Sequence, residues 1–183
     1  DKVPFSPGLL KLKKNDIIDL KVLPAAILVL LSYLSYGALL TLVPNWTEHI
    51  GIQNKGYFFI VFTISSVVVR LVSGKLSDQY GRIKVINVGL VGLAIAMIMM
   101  GYATTFWLVT ISGAICCLSM RILSPALNAW TIDLSDPSHR GKAMATMYIA
   151  LEIGIGFGAL GAGWLYKDLI ENIPTVFILT GII

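Results

Sequence analysis

Gly74-Lys75-Leu76-Ser77-Asp78-Gln79-Tyr80-Gly81-Arg82 is a short polar run set between two long apolar blocks. Gly74, lacking a Cβ, lets a neighbouring backbone come close at the end of the first block. Asp78 can accept backbone N–H bonds at a helix start or pair with a cation. Gly81 can take the positive φ that a tight reversal demands. Arg82 offers a planar fork to a carboxylate or to the last carbonyls of a helix.

The flanking blocks cover about 56–74 and 85–103. Outward from them lie four more, at 22–44, 106–129, 143–165 and from 174 onward. One helical span needs about 20 apolar residues, so 183 residues hold six with short connections. Composition agrees. Only 13% of residues are charged and 56% are hydrophobic, whereas a soluble domain carries about 25% charged residues. The mean hydropathy is +0.81. These values argue against a cytosolic enzyme, and the lack of strict alternation argues against a β-barrel. The sequence predicts an all-α polytopic membrane bundle over 22–183, with five full spans and a truncated sixth, behind a polar lead-in at 1–21.

The charges set the expected orientation. Lys2, Lys11, Lys13, Lys14 and Lys21 precede the first span. Lys75, Arg82 and Lys84 follow the second, and Arg140 and Lys142 follow the fourth. All fall on one side if the spans alternate. Lys55 and Lys167 fall on the other, and Arg70 and Arg121 lie inside spans. Cytoplasmic loops retain Lys and Arg, so the lead-in is expected in the cytoplasm. The net charge of +4 then reflects topology and implies no nucleic-acid partner. Trp46, Trp107 and Trp164 stand near the opposite ends of their spans, as interface anchors do. The adjacent Cys116 and Cys117 match neither a disulfide framework nor a metal site. No cleavable signal peptide is visible. A chain that starts at Asp1 and stops within an apolar run at Ile183 reads as a fragment of a longer protein.

The polar run resembles the cytoplasmic loop signature of the major facilitator superfamily, Gly-x-Leu-x-Asp-Arg-x-Gly-Arg-Arg/Lys. Gly74, Leu76, Asp78, Gly81 and Arg82 match in register. Gln79 and Ile83 depart from it, which weakens the charge network the family builds there. Arg140-Gly141-Lys142-Ala143 is similar to the family's Arg-Gly entry into a fifth span. The resemblance covers essentially the whole chain. It implies one six-helix half, with inverted 3+3 repeats, of a two-half transporter. The basic lead-in, Arg70 before Gly74, and a fifth span without a Gly-Pro pair point to the second half; a truncated first half is the runner-up. By the same resemblance the loop residues act as a conformational latch. The implied activity is secondary transport of a small solute by alternating access, with efflux or antiport favoured over uptake. The implied partners are the lipid bilayer, the other six-helix half, a small-molecule substrate and protons as a coupling ion. The implied location is a bacterial inner membrane, and no cofactor is implied.

Polar residues inside the spans are the candidate sites. Thr110, Gly113, Cys117, Arg121, Ser124 and Asn128 recur every three or four residues and share one face of the fourth span. Such a stripe faces protein or water, not lipid, as a helix contact or a cavity lining. The resemblance favours lining, because the first and fourth helices of a half border its central cavity. On the first span Tyr33, Tyr36, Gly37 and Thr41 share a broad arc. In the fifth span Gly154, Gly158 and Gly161 share one face, and Glu152, Gly156 and Gly163 roughly the other. Small residues on both faces predict packing on both sides. The pattern Gly156-x-Gly158-x-x-Gly161 is no dinucleotide site, since no strand precedes it.

Arg121 and Glu152 are the two opposite charges deep inside spans, at similar expected depth. Consecutive antiparallel spans would make them neighbours, as a static ion pair or as a proton carrier that releases the arginine. An intramembrane enzyme lacks support. His49 and His139 fall in loops on opposite sides, and no nucleophile–base pair or metal cluster appears. A scaffold or receptor without transport is the other alternative.

Overall fold

The structure, a computed structural model, describes residues 18–183 apart from 53, 55, 74–79 and 168; for 68–73 it describes the helical backbone alone. Among the described residues six α-helices follow one another: α1 Leu23–His49, α2 Tyr57–Ser73, α3 Arg82–Gly101, α4 Phe106–Leu134, α5 Arg140–Tyr166 and α6 Ile173–Ile182. Single 3₁₀ turns at Leu20–Val22 and Ile170–Asn172 lead into α1 and α6. No strand occurs among the described residues. α1, α3, α4 and α5 are long and apolar enough to cross a membrane, and the described apolar parts of α2 and α6 are shorter.

The apolar blocks locate these helices but understate four of them. α1 continues through Pro44 to His49, α4 continues past residue 129 to Leu134, α5 starts at Arg140 and α3 at Arg82. Apolarity marks the part of a helix that lies in hydrocarbon, whereas hydrogen bonding and caps decide where the helix stops. Pro44 removes one intrahelical bond without ending α1, as membrane helices tolerate. The Thr105 hydroxyl caps α4 by accepting the Leu108 N–H. Gly81 sits at the N-cap of α3 with φ 86°, the left-handed backbone expected of it. Gly74, Leu76 and Asp78 lie outside the described residues.

Packing is dominated by two partnerships. α1 lies along α5, and α3 lies along α4 and α6, while α2 rests on α4. The α1–α5 seam brings backbone against backbone. A Cβ on Gly37 would strike the Ile155 carbonyl; one on Gly154 or Gly158 would strike the carbonyl of Leu30 or Leu34. Only glycine permits this approach. Gly156, Gly161 and Gly163 meet nothing within 4 Å, so within this bundle α5 packs on one face where the sequence led us to expect two.

Leu39, Leu42, Met97, Met100 and Phe177 form one fully buried core towards the α3–α4 turn. Val29, Ile86, Leu123, Leu127 and Met147 form a second towards the opposite end. The Trp46 indole N–H donates to the Ala103 carbonyl at 2.9 Å, tying α1 to the α3–α4 turn.

Candidate functional site

The polar face of α4 divides into two parts. Thr110 donates to the Phe106 carbonyl of its own helix at 2.8 Å. Gly113 sits against the Phe58 ring, where a Cβ would collide. The buried Cys117 thiol donates to the Phe62 carbonyl at 3.1 Å. At Gly113 and Cys117, α2 therefore covers the stripe as a helix contact.

Arg121, Ser124 and Asn128 continue the stripe along two cavities. A cavity of about 140 Å³ is lined by Tyr33, Tyr36, Phe62, Met120, Arg121 and Ser124. A second, of about 100 Å³, is lined by Tyr33, Ser124 and Asn128 with Val29, Leu127, Met147, Tyr148 and Leu151. Tyr33 and Ser124 line both, so the two adjoin as a divided cleft between α1, α4 and α5, with Phe62 of α2 at one end. Tyr33 meets Tyr36 edge-on at 6.0 Å between centroids, and Tyr36 meets Phe62 at 6.0 Å, a continuous aromatic wall. Asn128 Oδ1 is buried and has no hydrogen-bond partner.

Thr41 lines neither cavity; it is exposed and its hydroxyl donates to the Gly37 carbonyl at 2.9 Å. Gly37 itself seats α5.

Arg121 and Glu152 are both exposed on their helices, and no ion pair joins them among the described residues. The expectation that consecutive spans are neighbours is corrected here. α4 and α5 touch only slightly, because the glycine face of α5 is taken by α1. Glu152 points roughly away from that seam. Arg121 lies near the Cys117 thiol and Tyr36, neither of which neutralises it.

Ionic ties gather at the end of the bundle where α1 begins. Arg82 Nε lies 2.6 Å from Asp133 Oδ2, joining the start of α3 to the last turn of α4. Lys21 Nζ lies 2.8 Å from Asp136 Oδ2, and the Asp19 N–H donates to Thr146 Oγ1 at 2.9 Å. The lead-in is thus tied to α5 and to the α4–α5 loop. The hydrogen bond from Lys21, and then its charge, hold the Asp136 carboxyl below its ordinary range.

Sequence reasoning missed Asp133 as the partner of Arg82, and Tyr148 and Met147 as cleft walls. Asp133 left a signal: an acid in the last turn of a helix opposes the helix dipole and needs a cation nearby. The cleft walls left none, because they depend on how α5 is rotated against α1.

Comparison with known proteins supplies the last finding. The family model described as Major Facilitator Superfamily matches residues 25–183. The chain is 24% identical over 151 residues to Multidrug resistance protein 2 of Bacillus subtilis, covering 81% of this chain and 38% of that protein. It is 26% identical over 152 residues to Quinolone resistance protein NorA of Staphylococcus aureus, covering 81% and 39%. It is 24% identical over 166 residues to Tetracycline resistance protein, class H, of Pasteurella multocida, covering 82% and 38%. The chain therefore spans about two fifths of the length of these relatives.

Proposed function

The chain belongs to the major facilitator superfamily, and on that premise we propose that it forms one half of a secondary transporter that exports a small solute by alternating access. The observation that carries this reading is the cleft on α1 and α4, lined by Arg121, Ser124 and Asn128, while Gly113 and Cys117 of the same stripe are sealed by α2. Intramembrane polar groups left open in this way mark a solute or ion path. Export is favoured because the relatives above are named for resistance to drugs, tetracycline or quinolone.

The remaining parts fit the same scheme. The open face of α5, with Glu152, Gly156 and Gly163, would receive the other half of the polypeptide. Gly74, Leu76, Asp78, Gly81 and Arg82 would act as the latch at the cytoplasmic end, with Arg82 anchored on Asp133. Glu152 is the candidate proton carrier, Arg121 a cavity residue, and the setting a bacterial inner membrane with the lead-in cytoplasmic.

Reconstitution of the full-length protein in proteoliposomes with an imposed pH gradient tests the reading. Solute flux should follow the gradient and collapse with a protonophore. A well-inserted protein that moves none of a panel of anionic, neutral and cationic drugs would defeat it.

A further inference from the structure

The cleft is lopsided in charge. Among the described residues that line it, Arg121 carries the single formal charge. No carboxylate among the described residues pairs with that guanidinium. An unpaired cation in a low-dielectric setting is costly, and a partner anion relieves the cost. Arginine also presents the planar, two-pronged donor set that fits a carboxylate or sulfonate. Beside it stands the wall of Tyr33, Tyr36 and Phe62, whose ring faces and edges suit a flat apolar body.

We propose that the solute is an organic anion with an aromatic or similarly apolar body. Its acidic group docks on Arg121 and its body lies against Tyr33 and Tyr36. A cationic solute of the same shape is repelled from the Arg121 end. This inference rests on the transport reading above and narrows it to one class of substrate.

Matched pyrene probes test it with the full-length protein in detergent: 1-pyrenebutanoate, its neutral amide and 1-pyrenebutylamine, with binding followed by fluorescence. The carboxylate should bind about tenfold more tightly than the amide, the factor that about 1.4 kcal/mol represents, and the amine weakest. Arg121→Gln should abolish the preference by weakening the carboxylate alone. Arg121→Lys, which keeps the charge but loses the fork, should weaken the carboxylate in part and keep the rank order. If Arg121→Gln fails to fold, Arg121→Lys decides, since equal weakening of carboxylate and amide would mark a structural role and overturn the proposal. An amide bound as well as the carboxylate, or a preference that survives Arg121→Gln, also overturns it. The same probes in proteoliposomes separate the two claims. Selective carboxylate binding without flux of any probe defeats the transport reading and leaves the anion site standing. Gradient-driven flux of the amine or amide, with no carboxylate binding, does the reverse.

Discussion

At the scale of single residues, the glycines of α5 are chemically alike and structurally different. Gly158 lies against the Leu34 carbonyl, and backbone has no rotamer by which to retreat. Gly163 faces open space. Gly158→Ala should therefore destabilise the full-length protein by about 1–3 kcal/mol, the usual cost of overpacking. Gly163→Ala should stay within about 0.5 kcal/mol unless another part of the polypeptide covers that face. Thermal unfolding in detergent measures both. Equal effects would mean that the α1–α5 seam is not as close as described. A similar contrast separates Cys117, sealed by Phe62, from Arg121 one turn further on, which stays open. No property of either side chain predicts which of them a neighbouring helix will cover.

At the scale of elements, the lead-in is a docked segment and not a loose tail from residue 19 onward. Asp19 caps the 3₁₀ turn through its carboxylate, and its backbone N–H reaches Thr146. Lys21 holds Asp136 across the α4–α5 loop. Because Asp136 titrates below its ordinary value in the folded protein, the tie is fully present above the unfolded carboxylate pKa of about 3.9. It is lost as pH falls through the lower folded value. The neighbouring His139, once protonated, acts in the same direction by favouring the charged carboxylate. Spin labels at Leu20 and Ser138 should report a fixed distance at neutral pH and a broadened distribution under acid conditions. Asp136→Asn should show the broad distribution at every pH. A sharp distribution in that variant would mean that the Asp19–Thr146 bond holds the segment alone.

At the scale of the whole molecule, both ion pairs seen among the described residues lie at the end where α1 begins, the end that carries most of the described lysines and arginines. At the opposite end neutral bonds run from Trp46 to Ala103 and from Asn172 to the carbonyls of Leu165 and Tyr166. If the basic end is cytoplasmic, a cysteine at Ser138 should react with an impermeant thiol reagent only in opened cells. Cysteines at Asn54 and Asn172 should react in intact ones. A background lacking Cys116 and Cys117 is needed. Labelling of position 138 from outside would invert the proposed orientation and, with it, the side from which the solute leaves.

The sequence by itself determined the helical class and the order of the described apolar helices, because each apolar block must satisfy its own backbone in hydrocarbon and only a helix does so within one segment. It also placed the positive-φ turn at Gly81 and marked the α4 stripe, since both follow from local chemistry and a period of three to four residues. Which helices touch was decided by tertiary structure. Chain order made α4 and α5 look like partners for Arg121 and Glu152, yet Gly154 and Gly158 admit the backbone of α1 and turn Glu152 away. Likewise only packing split the stripe into a sealed contact at Gly113 and Cys117 and an open cleft at Arg121, Ser124 and Asn128. The physical reason is common to both: helical period assigns a residue to a face, but close packing between backbones, which depends on small residues far apart in sequence, assigns that face to a neighbour.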